Sequence, residues 1–257
     1  MYVLPYGQMS LWGIFNKPQM YNLYLICLYL LLITPIYLNN QSKVSRLKSI
    51  NRIGPHNKDV ISIIFGSLLG EAYGEKRFLG EGTRFSFYQE ASHVKYLMFL
   101  HKYLSELGYC NPNLPVITTR LGSKGKIRKV AKFTTWTYSS FNWIYNLWYN
   151  NSAKNKHVPE CIDQYMTSLV LAIWIMNNGV KIGKNIKLCT NSFSYNDCLL
   201  LIKALNNNFN IKASIQSAGV GAEKKDRYII YIWTESMNDL INIISPYIIP
   251  EMKYKLN

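Results

Sequence analysis

Two apolar runs constrain the fold of this chain more than any other feature. They occupy residues 61–71 and residues 169–179, and each is long enough for about three helical turns. Each run delivers a polar residue at its C-terminal end, Glu71 in the first and Asn178 in the second. Either run alone would indicate an ordinary buried helix. Two similar runs predict a central helix pair whose polar ends meet at one site.

A glycine pair in the first run supports this pairing. Gly66 and Gly70 stand four positions apart and would share one face of a helix. Glycine costs about 1 kcal/mol relative to alanine in a helix, so two glycines on one face need a separate reason. Close approach of a second helix backbone provides that reason.

Charge and composition narrow the class of partner. The chain has 257 residues, enough for one domain or one domain with an extension. Its net charge is +15, and it contains 20 tyrosines, which favours a polyanionic partner such as nucleic acid. The five cysteines form no C-x-x-C pair and the four histidines no ligand motif, so neither a disulfide framework nor a zinc site is indicated. A reducing compartment follows.

Residues 1–57 differ from the rest because they contain no acidic residue. Within them, residues 20–38 are uncharged and apolar and have nearly the length of a membrane-spanning helix. Pro35 would kink or end that helix. We favour a membrane-associated helix over a signal-type segment or a buried hairpin. Residues 39–57 are predicted to be a polar linker that leads into a folded domain at residues 58–257.

The folded part has the pattern of an internal duplication. After each apolar run the same order of strand, helix, hairpin and helix follows, and Asn178 lies 107 positions after Glu71. The predicted halves are residues 58–150 and residues 160–257, each a helix, hairpin, helix, hairpin and helix. The predicted elements between the runs and the chain end are strand 83–89, helix 92–107, strands 114–121 and 127–138, helix 140–150, strand 186–192, helix 195–207, strands 211–216 and 227–233, and helix 235–244.

Three stretches resemble the LAGLIDADG homing endonucleases and their relatives, the group I intron maturases. Residues 66–73 resemble the first family motif, residues 171–179 the second, and residues 247–256 the C-terminal ending of the two-motif subgroup. The resemblance implies an α+β fold with pseudo-two-fold symmetry. The motif helices would form the interface between the halves, and two antiparallel sheets would form a basic saddle for a duplex. It also implies a monomer with internal pseudo-symmetry.

The first residues carry a second resemblance. Residues 2–13 resemble a stretch of mitochondrial cytochrome b, and the likeness ends at Gly13. A cytochrome b fragment joined to an unrelated basic domain is typical of an exon read through into an intron reading frame. The mitochondrial matrix is therefore the expected location, with inner-membrane association through residues 20–38 before processing.

The resemblance also implies a catalytic site at the motif ends. The family binds divalent metal through two motif carboxylates, at the positions of Glu71 and Asn178, and the assisting lysines correspond to Lys156 and Lys255. Glu71 keeps the charge but adds a methylene, whereas Asn178 is neutral and accepts no proton. Because Mg²⁺ prefers charged oxygen ligands, we expect metal to be held weakly or not at all. Double-strand cleavage should be lost or greatly slowed, and nicking through the Glu71 side stays open.

The predicted nucleic-acid surface lies on the hairpins of both halves. Its basic residues recur in corresponding places, which favours contacts with a phosphate backbone over a merely solvated face. The predicted binding residues are Arg120, Lys124, Lys126, Arg128, Lys129, Lys132, Lys181, Lys184, Lys187, Lys224, Lys225 and Arg227.

These patterns lead to one function and two alternatives. The preferred function is that of a mitochondrial maturase that binds a group I intron RNA, in the cytochrome b gene, and helps it to splice. The first alternative is a homing endonuclease that makes magnesium-dependent double-strand cuts in intronless DNA. The second is an inert product of a degenerating intron.

Overall fold

The protein is known from a computed structural model, which describes residues 48–76, 81–122, 125–149, 155–218 and 227–256. Helices and strands alternate in two successive halves. The first half contains α1 (Lys58–Leu68), β1 (Tyr73–Lys76), β2 (Thr83–Glu90), α2 (Val94–Glu106), β3 (Ile117–Leu121), β4 (Ile127–Thr134) and α3 (Asn142–Trp148). The second half contains α4 (Ile162–Tyr165), α5 (Ser168–Asn178), β5 (Gly179–Ile182), β6 (Asn185–Cys189), α6 (Tyr195–Phe209), β7 (Ala213–Ser217), β8 (Tyr228–Ile232) and α7 (Met237–Ile244).

The two halves contain sheets of the same topology. Each sheet has four antiparallel strands, in the order β1-β2-β4-β3 in the first half and β5-β6-β8-β7 in the second. An identical strand order after each long apolar helix is the result expected of a duplication. The predicted α+β fold with a duplicated helix and hairpin plan is confirmed.

Helices α1 and α5 pack directly against each other at the centre of the molecule. A methyl group on Gly66 would lie 2.7 Å from Cβ of Ile173 and 2.7 Å from the carbonyl oxygen of Val170. One on Gly70 would lie 2.4 Å from Nδ2 of Asn177. Only hydrogen fits at these two places, so the glycine pair allows the backbones to approach.

Side-chain caps fix where the two central helices begin. The Asn57 side chain accepts a hydrogen bond from the backbone N–H of Asp59, and the Thr167 hydroxyl accepts one from Val170. Each cap satisfies a helix N–H that has no partner inside its own helix. The Thr167 hydroxyl also lies 3.1 Å from that of Ser62, which links the two helices near their beginnings.

Helix α2 covers one face of the first sheet. Its apolar residues Leu97, Leu100 and Leu104 are completely or almost completely buried, as their spacing along one helix face predicted. Under the helix, the rings of Phe87 and Phe133 stack at 4.7 Å between centroids. This face of the first sheet therefore belongs to the core, and strand alternation turns the neighbouring side chains to the opposite face.

Residues 48–57 pack against the first half and belong to the folded unit, which begins at Lys48. His56 lies 3.1 Å from the Tyr109 hydroxyl and 2.8 Å from Oγ of Ser140. The guanidinium of Arg52 lies 5.4 Å from the centre of the Trp136 ring. The polar composition of this segment predicted a linker, but its side chains fill an aromatic pocket.

The strands missed by the sequence analysis are β1 and β5. Each of these strands has four residues and begins at or just after the end of one of the apolar runs. They are edge strands that lie next to the motif helices. Their backbones pair with β2 and β6, respectively. The short helix α4 was not predicted either, whereas the remaining strands and helices appear where the pattern placed them, with ends shifted by a few residues.

Some predictions concern residues outside the described ranges. Among the residues that the structure describes, no helix is long and apolar enough to cross a membrane. The membrane segment predicted at residues 20–38, the cytochrome b-like residues 2–13, and the predicted binding residues Lys124, Lys224 and Lys225 all lie outside these ranges.

The close approach of α1 and α5 predicts different costs for two similar substitutions. Gly66→Ala should lower the free energy of unfolding by about 1–2 kcal/mol, because overpacking against the Val170 backbone outweighs the gain in helix propensity. Gly70→Ala should cost less, since its added methyl meets the movable amide of Asn177. Urea denaturation of both variants measures the difference. A Gly66→Ala protein as stable as the parent would contradict the packing described here.

Candidate functional site

The two central helices end side by side. Gly70 and Asn177 are in contact, and each directly precedes the polar residue that the sequence analysis singled out. Glu71 is exposed in the turn after α1, and Asn178 is the half-buried last residue of α5. The structure therefore brings both predicted residues to one region.

The two polar residues differ in how firmly they are held. The amide nitrogen of Asn178 donates a hydrogen bond of 3.1 Å to the backbone carbonyl of Cys189 on β6. This contact fixes the Asn178 amide on the second sheet and leaves its neutral oxygen as the remaining acceptor. Glu71, by contrast, keeps a full carboxylate at the protein surface. The Asn178 side of the site is therefore uncharged, and its amide is already hydrogen-bonded to the protein.

A lysine lies at the end of each motif helix, half-buried in the case of Lys156 and buried in the case of Lys255. Nζ of Lys156 donates to the carbonyl oxygens of Gly70 at 2.8 Å and Ala72 at 3.2 Å. Nζ of Lys255 donates to Met176 at 2.6 Å and to Ile175 at 3.2 Å. The last carbonyls of a helix have no partner within it, and a cation is favourable at the C-terminal end. Lys255 therefore satisfies carbonyls at the end of α5, and Lys156 satisfies carbonyls of the turn that follows α1.

Burial changes the ionisation of both lysines. Removal from water lowers the pKa of Lys156 to about 8, against the opposing effect of the nearby Glu71 carboxylate. Burial also lowers the pKa of Lys255 to about 8, with the Cys189 side chain as the opposing influence. Both ammonium groups are charged at pH 7 and lose their protons just above it. Among the described residues, a carboxylate acts on Lys156 and none acts on Lys255.

The segments that carry the lysines also tie the two halves together. Two residues after Lys156, the backbone N–H of Val158 donates a 2.9 Å hydrogen bond to Asp197 on α6 of the second half. Next to Lys255, the Tyr254 hydroxyl lies 3.3 Å from Nε2 of His93 in the first half. Each segment therefore caps the motif helix of its own half and contacts the other half.

Asn177 has a role that the sequence analysis did not identify. Its side chain lies over Gly70, and its Oδ1 accepts a 2.8 Å hydrogen bond from Nε2 of Gln89 on β2. Asn177 thus joins the end of α5 to the first sheet. Its position one residue before Asn178 gave no sign of this contact, which depends on the register of β2.

The resemblance implies a divalent metal at the helix ends, and the residues present fit it poorly. Among the described residues, no group of three or more His, Cys, Asp or Glu side chains could hold a metal ion. A hard divalent cation prefers several charged oxygen ligands. Glu71 offers one charge, whereas Asn178 offers a neutral oxygen on an amide already bonded to the Cys189 carbonyl. The donor set is therefore suited to one weakly held ion at the Glu71 end.

The exposed side of the first sheet carries a polar network centred on Glu75. We call the surface formed by Tyr73, Glu75, Arg84, Ser86 and Lys132 the open face. Nε of Arg84 donates to Oε2 of Glu75 at 2.8 Å, and its second donor Nη2 bonds the same oxygen. The Ser86 hydroxyl donates to Oε1 of Glu75 at 2.9 Å. Nζ of Lys132 lies 3.7 Å from Oε1 and donates to the Tyr73 hydroxyl at 2.6 Å.

The network keeps Glu75 ionised. Partial burial acts to raise the pKa of Glu75, but the hydrogen bonds from Arg84 and Ser86 and the charges of Arg84 and Lys132 outweigh it. The resulting pKa lies below the ordinary value for a glutamate. The open face therefore presents a fixed carboxylate between two cations at neutral pH.

The predicted basic residues divide between the two faces of the sheets. Strand alternation places three of them on the exposed side of the first sheet, namely Arg120, Arg128 and Lys132. Lys129 shares the face of Ala131 and Phe133, and Lys181 lies opposite the buried Ile186, so both are exposed on the helix-covered side.

The remaining predicted cations lie at strand ends or in the second sheet. Lys187 on β6 is half-buried and pairs with Tyr231 of β8. Lys126, Lys184 and Arg227 are exposed beside strand ends. Arg84 was not among the predicted residues, although its alternation within 83–90 could have placed it next to Ser86 and Tyr88 on the exposed side.

Comparison with known proteins relates this geometry to a family. A sequence profile described as the LAGLIDADG DNA endonuclease family matches residues 61–240. The chain is 44% identical to cytochrome b mRNA maturase bI2 of Saccharomyces cerevisiae, over 99% of this chain and 68% of that one. It is 46% identical to the protein of the same name from Debaryomyces hansenii, over 83% of this chain and 79% of that one.

Endonucleases appear among the relatives as well. Intron-encoded endonuclease ai4 of Dictyostelium discoideum is 34% identical over 61% of this chain and 98% of its own length. The solved structure of the homing endonuclease I-WcaI bound to its DNA recognition sequence superposes with a TM-score of 0.69 at 26% identity, covering 78% of this chain and 87% of that one. With the duplicated fold and the profile match across both motifs, the chain belongs to the LAGLIDADG DNA endonuclease family.

Proposed function

We propose that this protein is an RNA maturase that assists the splicing of a group I intron in the cytochrome b gene. It would bind the folded intron through the basic surfaces of its sheets, while the RNA supplies the chemistry of splicing. The observation that carries the proposal is the unequal pair of helix ends, in which Glu71 keeps its charge and Asn178 does not. Two relatives of high identity are named cytochrome b mRNA maturase bI2.

The scaffold supports a binding role. The helix pair, both capping lysines and the two four-stranded sheets are all present. Together with a net charge of +15, exposed cations such as Arg120 and Lys126 give a surface that attracts phosphate. Folded RNA is recognised largely through its shape and its backbone, which suits a rigid basic surface.

The site chemistry supports weak or absent cleavage. Members of this family generally use divalent metal ions, and we propose Mg²⁺ as the ion here, held by Glu71 with Asn178 as a poor partner. When bound, such an ion would stabilise charge at a phosphodiester. On the protein side, Lys156 places a positive charge beside Glu71, whereas Asn178 cannot take up a proton.

A second candidate function is supported by Glu71. Because its carboxylate is exposed beside Lys156, one half of the site keeps the charge that a nuclease needs. The second candidate is therefore a homing endonuclease that cuts intronless DNA, with nicking of one strand as its reduced form. The relatives named as endonucleases agree with this candidate.

The setting follows from the proposed target. A maturase for the cytochrome b transcript would act in the mitochondrial matrix, and residues 20–38 would associate with the inner membrane. We propose that the protein works as a monomer, because the two halves supply both members of the helix pair within one chain.

The choice of substrate gives the first functional prediction. The full-length protein should bind a transcript of the intron that encodes it more tightly than an unrelated RNA of equal length, and its affinity should fall steeply with salt. With Mg²⁺ and a duplex that spans the joined cytochrome b exons, it should leave both strands uncut. Filter binding and gel analysis of labelled strands provide the two measurements. Efficient double-strand cuts, without preference for the intron RNA, would favour the endonuclease.

The second functional prediction concerns the restoration of carboxylates at the helix ends. Asn178→Asp together with Glu71→Asp should raise magnesium-dependent cleavage of the exon duplex by on the order of tenfold to a hundredfold, the scale on which ligand charge and placement act. Asn177→Asp is the matched control, since it adds the same charge one residue earlier, where the side chain contacts Gly70 and Gln89. The control should give no gain. Equal gains from both variants would mean that charge alone, and not ligand position, limits cleavage.

A further inference from the structure

We propose that Arg84 is a base-reading residue that Glu75 holds in position to recognise a guanine in a duplex lying across the open face. The proposal rests on the nucleic-acid binding in the proposed function and concerns duplex DNA, because side chains cannot read the deep, narrow major groove of double-stranded RNA. It adds to the helix-end site a specificity element in the first half.

The hydrogen bonds of Arg84 fix how its guanidinium is presented. Nε and one Nη2 hydrogen are directed to Oε2 of Glu75, so that edge of the planar group is occupied. The other edge, with Nη1 and the outer hydrogen of Nη2, is left with two parallel donors. Since the Arg84 side chain is 31% exposed, this edge can reach a ligand on the open face.

Two parallel donors match either a phosphate or a guanine, and the surrounding charge favours guanine. Arginine bonds two phosphate oxygens or N7 and O6 of guanine with the same geometry. The carboxylate of Glu75 is 29% exposed and lies next to both Arg84 and Lys132. A fixed negative charge on the binding surface repels phosphate and offsets one of the two cations. The guanine edge carries only the partial negative charges of N7 and O6 and therefore meets a weaker repulsion than a phosphate does.

The second half shows that the sheet does not need this network in order to fold. By strand register, the positions of Tyr73 and Glu75 correspond to Val180 and Ile182, both 43% exposed. The position of Lys132 corresponds to Ile229, which pairs with Cys189 on β6. The second sheet has the same strand order with apolar residues there. Because the second sheet forms without this network, the network is not needed for folding. We therefore assign it a role in recognising nucleic acid.

Another ion pair on the same sheet supplies a comparison. Nη1 of Arg128 lies 3.1 Å from Oε1 of Glu90, but both side chains are about half exposed, and within the described part of the chain this is their one ion pair. In the proposed complex, Glu90 would act mainly as a negative charge near the duplex. Glu75, in contrast, accepts hydrogen bonds from both Arg84 and Ser86.

The test separates positioning from simple charge repulsion. The wild-type full-length protein is used to select binding sites from a library of randomised duplex DNA, and affinities are then measured for the selected duplex and for the same duplex with 7-deazaguanine at single positions. We expect one guanine whose N7 is required, with a loss of about tenfold on its replacement. Arg84→Lys and Glu75→Gln should abolish that difference. Urea denaturation shows whether each variant is folded.

Glu90→Gln is the matched control, because it removes the same charge from the same sheet. It should raise affinity for both duplexes and keep the wild-type ratio between them. If Glu75→Gln behaves in the same way, Glu75 only repels the duplex and the proposal fails. A selection without any guanine preference overturns it as well. Failure of the maturase function would appear separately, as equal binding of the cognate intron transcript and an unrelated RNA.

Discussion

The contact between α1 and α5 is the constraint on which the rest of the structure depends. It is asymmetric, because Gly66 lies in α1 and Gly70 in the turn that follows it, while Ile173 and Asn177 supply the opposing side chains from α5. Each glycine contacts the residue 107 positions later, its own counterpart in the duplication. In an ancestor with identical halves, small residues on both helices would have allowed the approach equally. Here the glycines of one segment leave space, and the side chains of Ile173 and Asn177 fill that space. This contact fixes how the two halves are aligned along the helix pair.

Two connecting segments reinforce that register. The segment around Lys156 satisfies carbonyls at the end of α1 and then contacts Asp197 in the other half. The segment around Lys255 does the same for α5 and contacts the other half through Tyr254. Since the helix ends would otherwise leave buried carbonyls unpaired, these lysines contribute to folding whether or not a phosphodiester is ever cut. A structural role and a catalytic role can therefore coincide in the same side chain.

The sequence patterns predicted the features that depend on the spacing of residues along the chain. They missed the features that depend on which residues face each other across paired strands and packed helices. The two central helices, the order of the strands and the ends at Glu71 and Asn178 all followed from the spacing of apolar residues and glycines. Strands β1 and β5 were not predicted, because four residues are too few to show an alternating pattern. The positions of Asn177 and Arg84 depend on partners about 88 and 9 positions away, Gln89 and Glu75. No local pattern contains that information, although alternation within β2 could have directed attention to Arg84.

The electrostatics of helix ends explains why a carboxylate could be lost while the scaffold stayed intact. The C-terminal end of a helix carries a partial negative charge, so an anion there is unfavourable by about 0.3–1 kcal/mol, and two carboxylates at adjacent ends repel each other as well. Asn178 removes one of these charges and gains a hydrogen bond to the Cys189 carbonyl. Lys255 then bonds its helix end with no carboxylate at position 178, whereas Lys156 still balances the charge of Glu71. Folding alone therefore favours the lysines over the carboxylates, and only a need for metal would keep both acids in place.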